Sequence, residues 1–155
     1  MLPFTIRQAR PDEAERLTEI ACRAKSHWGY SREQIEAWRP AFLTITTAYI
    51  KRHSTWVAAN ESNSIVAFAA LELRHGGAVL EHLWVLPEHM GRGIGSRLFR
   101  HLVPQAGEFT FTSDPHADGF YLKLGARLIG EVESDLQGRR LSLFRYDARS
   151  SNLAE

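Results

Sequence analysis

The stretch Val79–Val103, VLEHLWVLPEHMGRGIGSRLFRHLV, constrains the fold more than any other part of the chain. Its first part, Val79 to Leu86, is an apolar run of the length of a buried strand, and Pro87 ends it. Gly91-Arg92-Gly93-Ile94-Gly95 follows as a glycine-spaced turn. Beyond it Ile94, Leu98 and Leu102 recur at i, i+4 and i+8, with Phe99 beside them. That period predicts a helix with one apolar face, with Arg97, Arg100 and His101 lying off it and Pro104 closing it. A strand that feeds a glycine turn opening a helix is a cradle for a pyrophosphate. Glycines let the backbone approach closely, successive N–H groups point outward, and the helix start carries partial positive charge. Arg92 adds a full charge at the tip.

The same physics serves dinucleotides, nucleoside triphosphates and coenzyme A. A dinucleotide fingerprint has the spacing G-x-G-x-x-G near the start of a βαβ unit, whereas Gly91, Gly93 and Gly95 alternate past mid-chain. A Walker loop needs a Gly-Lys pair, and the sequence contains none. A turn that merely lets strand and helix meet needs fewer glycines and no arginine.

Leu80 through Gly95, read as L-E-x-L-x-V-x-P-E-x-x-G-R-G-I-G, resembles the acyl-CoA-binding motif of the GCN5-related N-acetyltransferases (GNAT). Met90 stands where that family usually has Arg or Gln, at a position whose family contact is largely through the backbone N–H. A second stretch, Asp114 to Ala126, is similar to the family pattern N-x-x-A-x-x-F-Y-x-x-x-G-F. Ala117, Phe120, Tyr121 and Gly125 match, Asp114 replaces the asparagine, and Ala126 replaces the final aromatic.

Composition fits one soluble domain spanning 1–155, with a core of about 4–147. Lys+Arg number 19 and Asp+Glu 18, so no long-range basic field argues for nucleic acid or an anionic membrane. Cys22 is alone, which excludes an intrachain disulfide and favours a reducing compartment. The N-terminus lacks a signal-type apolar core and no apolar run approaches about 18 residues, so a cytoplasmic location is expected.

In chain order, Phe4 to Arg10 alternates as a first strand, and Pro11-Asp12-Glu13 opens a helix to about Lys25, with Leu17, Ile20, Ala21 and Ala24 as its apolar stripe. Ser31-Arg32-Glu33-Gln34 is a capping box starting a second helix. Pro40 ends or kinks it, and a short second piece precedes Lys51. Thr55 to Asn60 is a strand, Glu61-Ser62-Asn63 a turn, and Ile65 to Arg74 a long strand with Ile65, Ala67, Ala69, Leu71 and Leu73 on one face. His75-Gly76-Gly77 returns the chain into the central strand, completing an antiparallel meander. Glu108 to Thr112 is a strand parallel to the central one through a right-handed crossover. Asp114-Pro115 caps a short helix that Gly125 stops. Arg127 to Glu133 and Arg140 to Asp147 form a last hairpin joined by Ser134 to Arg139, and the tail Arg149 to Glu155 is expected to fray. The reading is an α/β domain: a mixed, mostly antiparallel sheet of about seven strands with about four helices, in GNAT topology.

What the resemblance implies is transfer of an acetyl group from acetyl-CoA to a primary amine, by direct attack in a ternary complex. The implied general acid is Tyr121, whose phenol can protonate a departing thiolate while neutral. Glu81 shares a strand face with Leu83 and Val85, and a carboxylate on so apolar a strand is costly to bury unless paired or working. The resemblance supports it as the base; His82 points the other way and reads as structural. Trp84, Val85 and Leu86 would offer backbone groups to the pantetheine arm, and Met90, Gly91, Arg92, Gly93, Ile94, Gly95 and Ser96 would hold the pyrophosphate. Asp114, Ala117 and Tyr121 complete the implied cofactor set. In the family, the segment between the first two helices overhangs the acceptor, which makes His27, Trp28 and Tyr30 candidate substrate contacts. Glu131, Glu133 and Asp135 cluster at the last hairpin, and a cationic amine would suit them, Glu133 above all. The seven histidines show no metal-ligand pair beside an acid or thiol, so no metal is expected. A non-catalytic acyl-CoA-binding module and a nucleotide binder are the rival readings; a homodimer is compatible with the family.

Overall fold

In the computed structural model, which describes residues 3–75, 77–133 and 140–147, the chain begins with a short strand, β1 (Thr5–Gln8). A single 3-10 turn, Pro11–Glu13, then leads into α1 (Ala14–Ser26). Glu13 does two jobs there: its carboxylate accepts from the backbone N–H of Arg10 at 2.7 Å and takes both arms of the Arg7 guanidinium at 3.0 and 2.8 Å. The stripe read from the sequence is the buried one, with Leu17, Ile20, Ala21 and Ala24 at most 1% exposed.

The capping box opens α2 (Arg32–Trp38). The Ser31 hydroxyl accepts from the Gln34 N–H at 3.1 Å while the Gln34 side chain accepts from the Ser31 N–H at 2.9 Å. Pro40 does not cut the helix off; Arg39–Leu43 widens into a π-helical turn, and α3 (Thr47–Arg52) is the expected short second piece. Next come β2 (Ser54–Ala59) and β3 (Ile65–Arg74), antiparallel, with Trp56 opposite Ala69 and Val57 opposite Phe68. Asn60 closes their turn by accepting from the N–H groups of Ser62 and Ser64, and Asn63 takes φ +60°.

Strand β3 departs from the one-sided pattern expected of it. Ile65 through Leu71 are all at most 4% exposed, on both faces, whereas Leu73 is 59% exposed. A strand covered on both sides reads as a continuous apolar run and loses its alternation. Leu73 lies beyond the covered part and is not a core residue.

The central strand β4 (Gly77–Val85) ends one residue earlier than predicted, and a 3-10 turn at Pro87–His89 follows. It is also less buried than its sequence suggests: Ala78 and Leu80 are shut in, His82–Val85 are half-buried and Glu81 is exposed. Helix α4 (Ile94–Ala106) contains Pro104, contrary to the expectation that this proline closes it. In the last turn a proline removes one bond from the helix end and leaves the rest of the ladder intact. The stop is Gly107, at φ +69°, whose N–H donates to the Val103 carbonyl at 2.8 Å. Gly95 is likewise inside the first turn of α4, so the glycine turn proper is Gly91 to Gly93.

The remaining elements are β5 (Glu108–Ser113), a 3-10 turn at Pro115–Ala117, α5 (Asp118–Lys123), β6 (Arg127–Glu133) and β7 (Arg140–Asp147). Five α-helices are thus described where about four were expected. Strand order is β1-β2-β3-β4-β5-β7-β6. The pairing of β4 with β5 is parallel, with Val79 opposite Thr110; β5–β7 and β6–β7 are antiparallel. The expected roles of Gly76, of the Ser134–Arg139 connection with Asp135, and of the Arg149–Glu155 tail lie outside the described residues.

The chain divides into two compact units, one ending at Leu71 and resuming over His82–His101, the other made of Glu72–Glu81 and the chain from Leu102. The first is built on the α1 stripe, β3 and the Ile94, Leu98 and Phe99 face of α4. In the second, Phe111 stacks on Phe144 at 5.4 Å, Phe109 lies 5.6 Å from Tyr146, and Leu102 is fully buried. Among the described residues no helix is long and apolar enough to cross a membrane.

Removing the cap tests the local reading. Ser31→Ala is expected to lower unfolding stability by about 1 kcal/mol, because the Gln34 N–H loses its acceptor. The urea midpoint measures it, and an unchanged midpoint overturns it.

Candidate active site

The glycine cradle stands in the first unit. Met90 is extended, and Gly91 and Gly93 take φ +79° and +80° on either side of Arg92, a conformation that any Cβ would strain. No heavy atom lies within 4 Å of where either Cβ would be, so backbone conformation and not crowding requires the glycines. The first described helical bond at this end runs from the Arg97 N–H to the Gly93 carbonyl at 3.1 Å. The N–H groups of Ile94, Gly95 and Ser96 therefore belong to the first turn, where an α-helix supplies no acceptor. With Arg92 exposed beside them, this arrangement fits a pyrophosphate. The Arg97 guanidinium donates to the Phe4 carbonyl at 3.1 Å, and the Phe4 ring meets His89 edge-on at 5.8 Å, so the chain start braces both ends of the loop.

Leu86 lies just past the end of β4. Its N–H donates to the Val66 carbonyl and its own carbonyl accepts from the His89 N–H, both at 2.9 Å. The N–H is thus committed within the protein, whereas the carbonyl keeps a second lone pair. Trp84 and Val85 stay half-buried on β4. The Met90 N–H turns back to the Pro87 carbonyl at 3.3 Å, a long bond.

His82, on the other strand face from Glu81, accepts a hydrogen bond at Nδ1 from the Trp84 indole N–H at 3.0 Å. The proton of the neutral ring is then on Nε2. Tyr49 meets the ring edge-on at 5.6 Å and Phe68 lies 5.8 Å away. Burial, with a smaller push from His53, brings its pKa down to about 4. The ring is a neutral acceptor that holds the Trp84 side chain.

The second unit carries the other motif. Asp114 is the N-cap: its carboxylate accepts from the His116 N–H at 3.0 Å and from the His116 ring at 2.7 Å. As a helix cap this position needs only an acceptor, which aspartate supplies as the asparagine of the family pattern would. Ala117, half-buried, ends the 3-10 turn with its N–H on the Asp114 carbonyl at 2.8 Å. At the far end of α5, the Ala126 N–H reaches the Tyr121 carbonyl and the Gly125 N–H that of Leu122, both at 3.1 Å, with Gly125 at φ +95°. This paired closure is a Schellman motif, and it fixes Tyr121 one turn before the stop. Phe111 at 4.5 Å, Phe120 at 5.0 Å and Phe144 at 5.8 Å enclose the Tyr121 ring. Burial raises its pKa well above that of a free phenol. The hydroxyl is therefore neutral at every physiological pH.

Glu81 is exposed, so the argument from the cost of burial does not apply to it. Glu133 is exposed too, with Arg140 4.0 Å away; the same guanidinium pairs with Glu131 at 3.1 Å, which offsets the acidic character expected of this hairpin. In the first unit, His27 is exposed and meets Trp28 edge-on at 5.1 Å. Tyr30 turns to Trp38 and to the ammonium of Lys25.

Three features escaped the sequence reading. Lys25 lies at i+8 on the Leu17–Ala21 stripe, a spacing that signals burial even for a lysine. The Arg97 bond joins residues far apart in sequence and leaves no local trace. The Asp118 carboxylate accepts from the Ser142 hydroxyl at 2.8 Å through one oxygen, while its other oxygen is buried with no hydrogen-bond partner among the described residues.

Comparison with known proteins agrees with both motifs. A family model described as an acetyltransferase (GNAT) domain matches residues 51–125. The peptidyl-lysine N-acetyltransferase YjaB of Escherichia coli (strain K12) is 30% identical over 141 residues, covering 88% of this chain and 90% of that one. The solution structure of apo YjaB from Escherichia coli superposes with a TM-score of 0.70 at 29% identity, covering 94% of this chain and 96% of that one. The PaiA N-acetyltransferase of Thermoplasma acidophilum, solved in complex with coenzyme A, superposes with a TM-score of 0.75 at 19% identity, covering 94% and 99%. The chain belongs to the GCN5-related N-acetyltransferase family. It is an acetyltransferase whose acetyl donor is acetyl-CoA.

His82 gives a pH test. Its folded pKa of about 4 lies below the ordinary 6.5, so the unfolded chain binds a proton that the fold refuses. Its contribution to stability is complete above pH 6.5 and is lost as pH falls from there toward 4. In NMR the His82 ring is expected to stay neutral at pH 5.5; titration near 6.5 overturns the assignment.

Proposed function

We propose that the acceptor is the primary amine of a lysine side chain in a peptide or protein, and that it attacks the acetyl group directly in a ternary complex in the cytoplasm. The relatives named as peptidyl-lysine N-acetyltransferases support the acceptor class. Cys22, half-buried in α1 with its thiol pKa raised by burial, is a poor nucleophile and supports direct attack over a covalent intermediate.

Acetyl-CoA supplies the acetyl thioester; Gly91–Ser96 would hold its pyrophosphate, and Trp84 and Val85 would offer backbone groups to the pantetheine arm. Glu81 takes the proton that the attacking ammonium must lose, directly or through a water. Its exposure suits this role, because a proton taken there can pass on to solvent. As the C–N bond forms and the C–S bond breaks, Tyr121 gives its proton to the departing sulfur, and the second proton shed by the acylated nitrogen restores the phenol. The observation that carries this reading is the burial of the Tyr121 phenol, which keeps its proton in place at neutral pH and so available as negative charge develops on the sulfur.

Tyr121→Phe removes the proton and keeps the ring. Turnover of a lysine peptide is expected to fall roughly 100-fold, with acetyl-CoA affinity changed less than about twofold. Equal turnover would remove the acid role from Tyr121.

A further inference from the structure

Asp118 opens α5, and its carboxylate accepts from the Ser142 hydroxyl of β7 at 2.8 Å. Ser142 is 8% exposed, on the strand face that also carries the buried Phe144 and Tyr146. The second Asp118 oxygen is closed off from water with no hydrogen-bond partner among the described residues. A half-satisfied carboxylate at a helix–sheet contact is costly, and a small apolar side chain at each position would close the contact without that cost. Cohesion alone does not call for this pair. A hydrogen bond differs from apolar packing in having a narrow length and a direction, so it sets position as well as holding surfaces together.

Tyr121 follows Asp118 by three residues, on the same side of the helix. Phe144 follows Ser142 by two, on the same side of the strand. Three residues of helix rise about 4.5 Å and two of strand about 7 Å, so the two pairs meet as neighbouring points of one seam. At the first point the carboxylate meets the hydroxyl; at the second the Tyr121 and Phe144 rings lie 5.8 Å apart. Aromatic contacts enclose the Tyr121 ring, yet apolar contact does little to fix how far along β7 that ring sits. The Gly125 stop sets where α5 ends, and the bond to Ser142 sets where it begins. We infer that Asp118 is a positioning residue for the acid: its hydrogen bond to Ser142 fixes α5 along β7, and with it the place of the Tyr121 hydroxyl. The inference rests on the reading above, in which Tyr121 gives its proton to the departing sulfur. A purely structural aspartate would act on stability; a positioning aspartate acts on the chemical step, and only while the phenol is there.

The experiment is a cycle of steady-state kinetics on wild type, Asp118→Ala, Tyr121→Phe and the double variant, with acetyl-CoA and a blocked synthetic peptide carrying one lysine. For Asp118→Ala kcat is expected to fall roughly tenfold, with both KM values within about twofold of wild type. In the Tyr121→Phe background, adding Asp118→Ala is expected to lower kcat by less than about twofold, because no phenol is left to place. Asp118→Asn keeps an acceptor for the Ser142 hydroxyl and is expected to hold kcat within about twofold of wild type. Ser142→Ala takes the place of Asp118→Ala in the cycle, with the same expectations, where that variant does not fold. An unchanged kcat in Asp118→Ala, a loss that multiplies with that of Tyr121→Phe, or a loss that Asp118→Asn shares overturns the inference while leaving the proposed function standing. Equal turnover by Tyr121→Phe removes the acid role, and this inference with it.

Discussion

The constraint on which the structure depends is the complete burial of β3 from Ile65 to Leu71. A backbone closed off from water has to satisfy each N–H and carbonyl within the protein, because an unpaired one costs as much as a lost hydrogen bond. Strand β2 supplies partners along one edge, from Ser54 opposite Leu71 to Ala59 opposite Ile65. Strand β4 is the neighbour on the other edge, and where it ends the Leu86 N–H still reaches back to Val66. That last bond sets where the chain leaves the sheet, and so where the Pro87 turn and the glycine cradle begin. Position in the cradle is inherited from hydrogen-bond satisfaction in the core.

Much of this was readable because the relevant physics is local. Ser31 and Gln34 satisfy each other across three residues, Gly125 ends α5 by its own left-handed conformation, and Ile94, Leu98 and Leu102 repeat at the helical period. Each signal lies within one turn of its effect. The motifs of Leu80–Gly95 and Asp114–Ala126 were legible for the same reason, since cradle and cap are built from consecutive residues.

The misreadings arose where a local rule met a longer-range fact. Pro104 looked like a stop, yet a last-turn proline is tolerated and Gly107 holds the stronger signal three residues on. Leu73 continued an alternation that had lost its meaning once both faces of β3 were covered. Leu86 prolongs the apolar run of β4, yet the strand ends at Val85 and the Leu86 N–H turns to Val66. The apolar run of β4 suggests a buried Glu81, whereas the folded chain leaves it exposed. Residue type places a lysine on the surface, whereas the helical spacing of Lys25 from Leu17 and Ala21 places it within.

The outer strand β6 has a consequence for the molecule's behaviour among other proteins. At the end of the strand order it carries Leu128 and Ile129, each about half exposed, which on a flat edge would invite sheet-to-sheet aggregation. Its register slips between Leu128 and Gly130, and Arg127, Glu131 and Glu133 place charge along the same seven residues. A foreign strand laid on this edge meets an interrupted ladder and must desolvate charge to pair with it. The kink and the charges thus act as a guard on solubility, and a substitution that straightened Leu128–Gly130 would weaken that guard without touching either sequence motif.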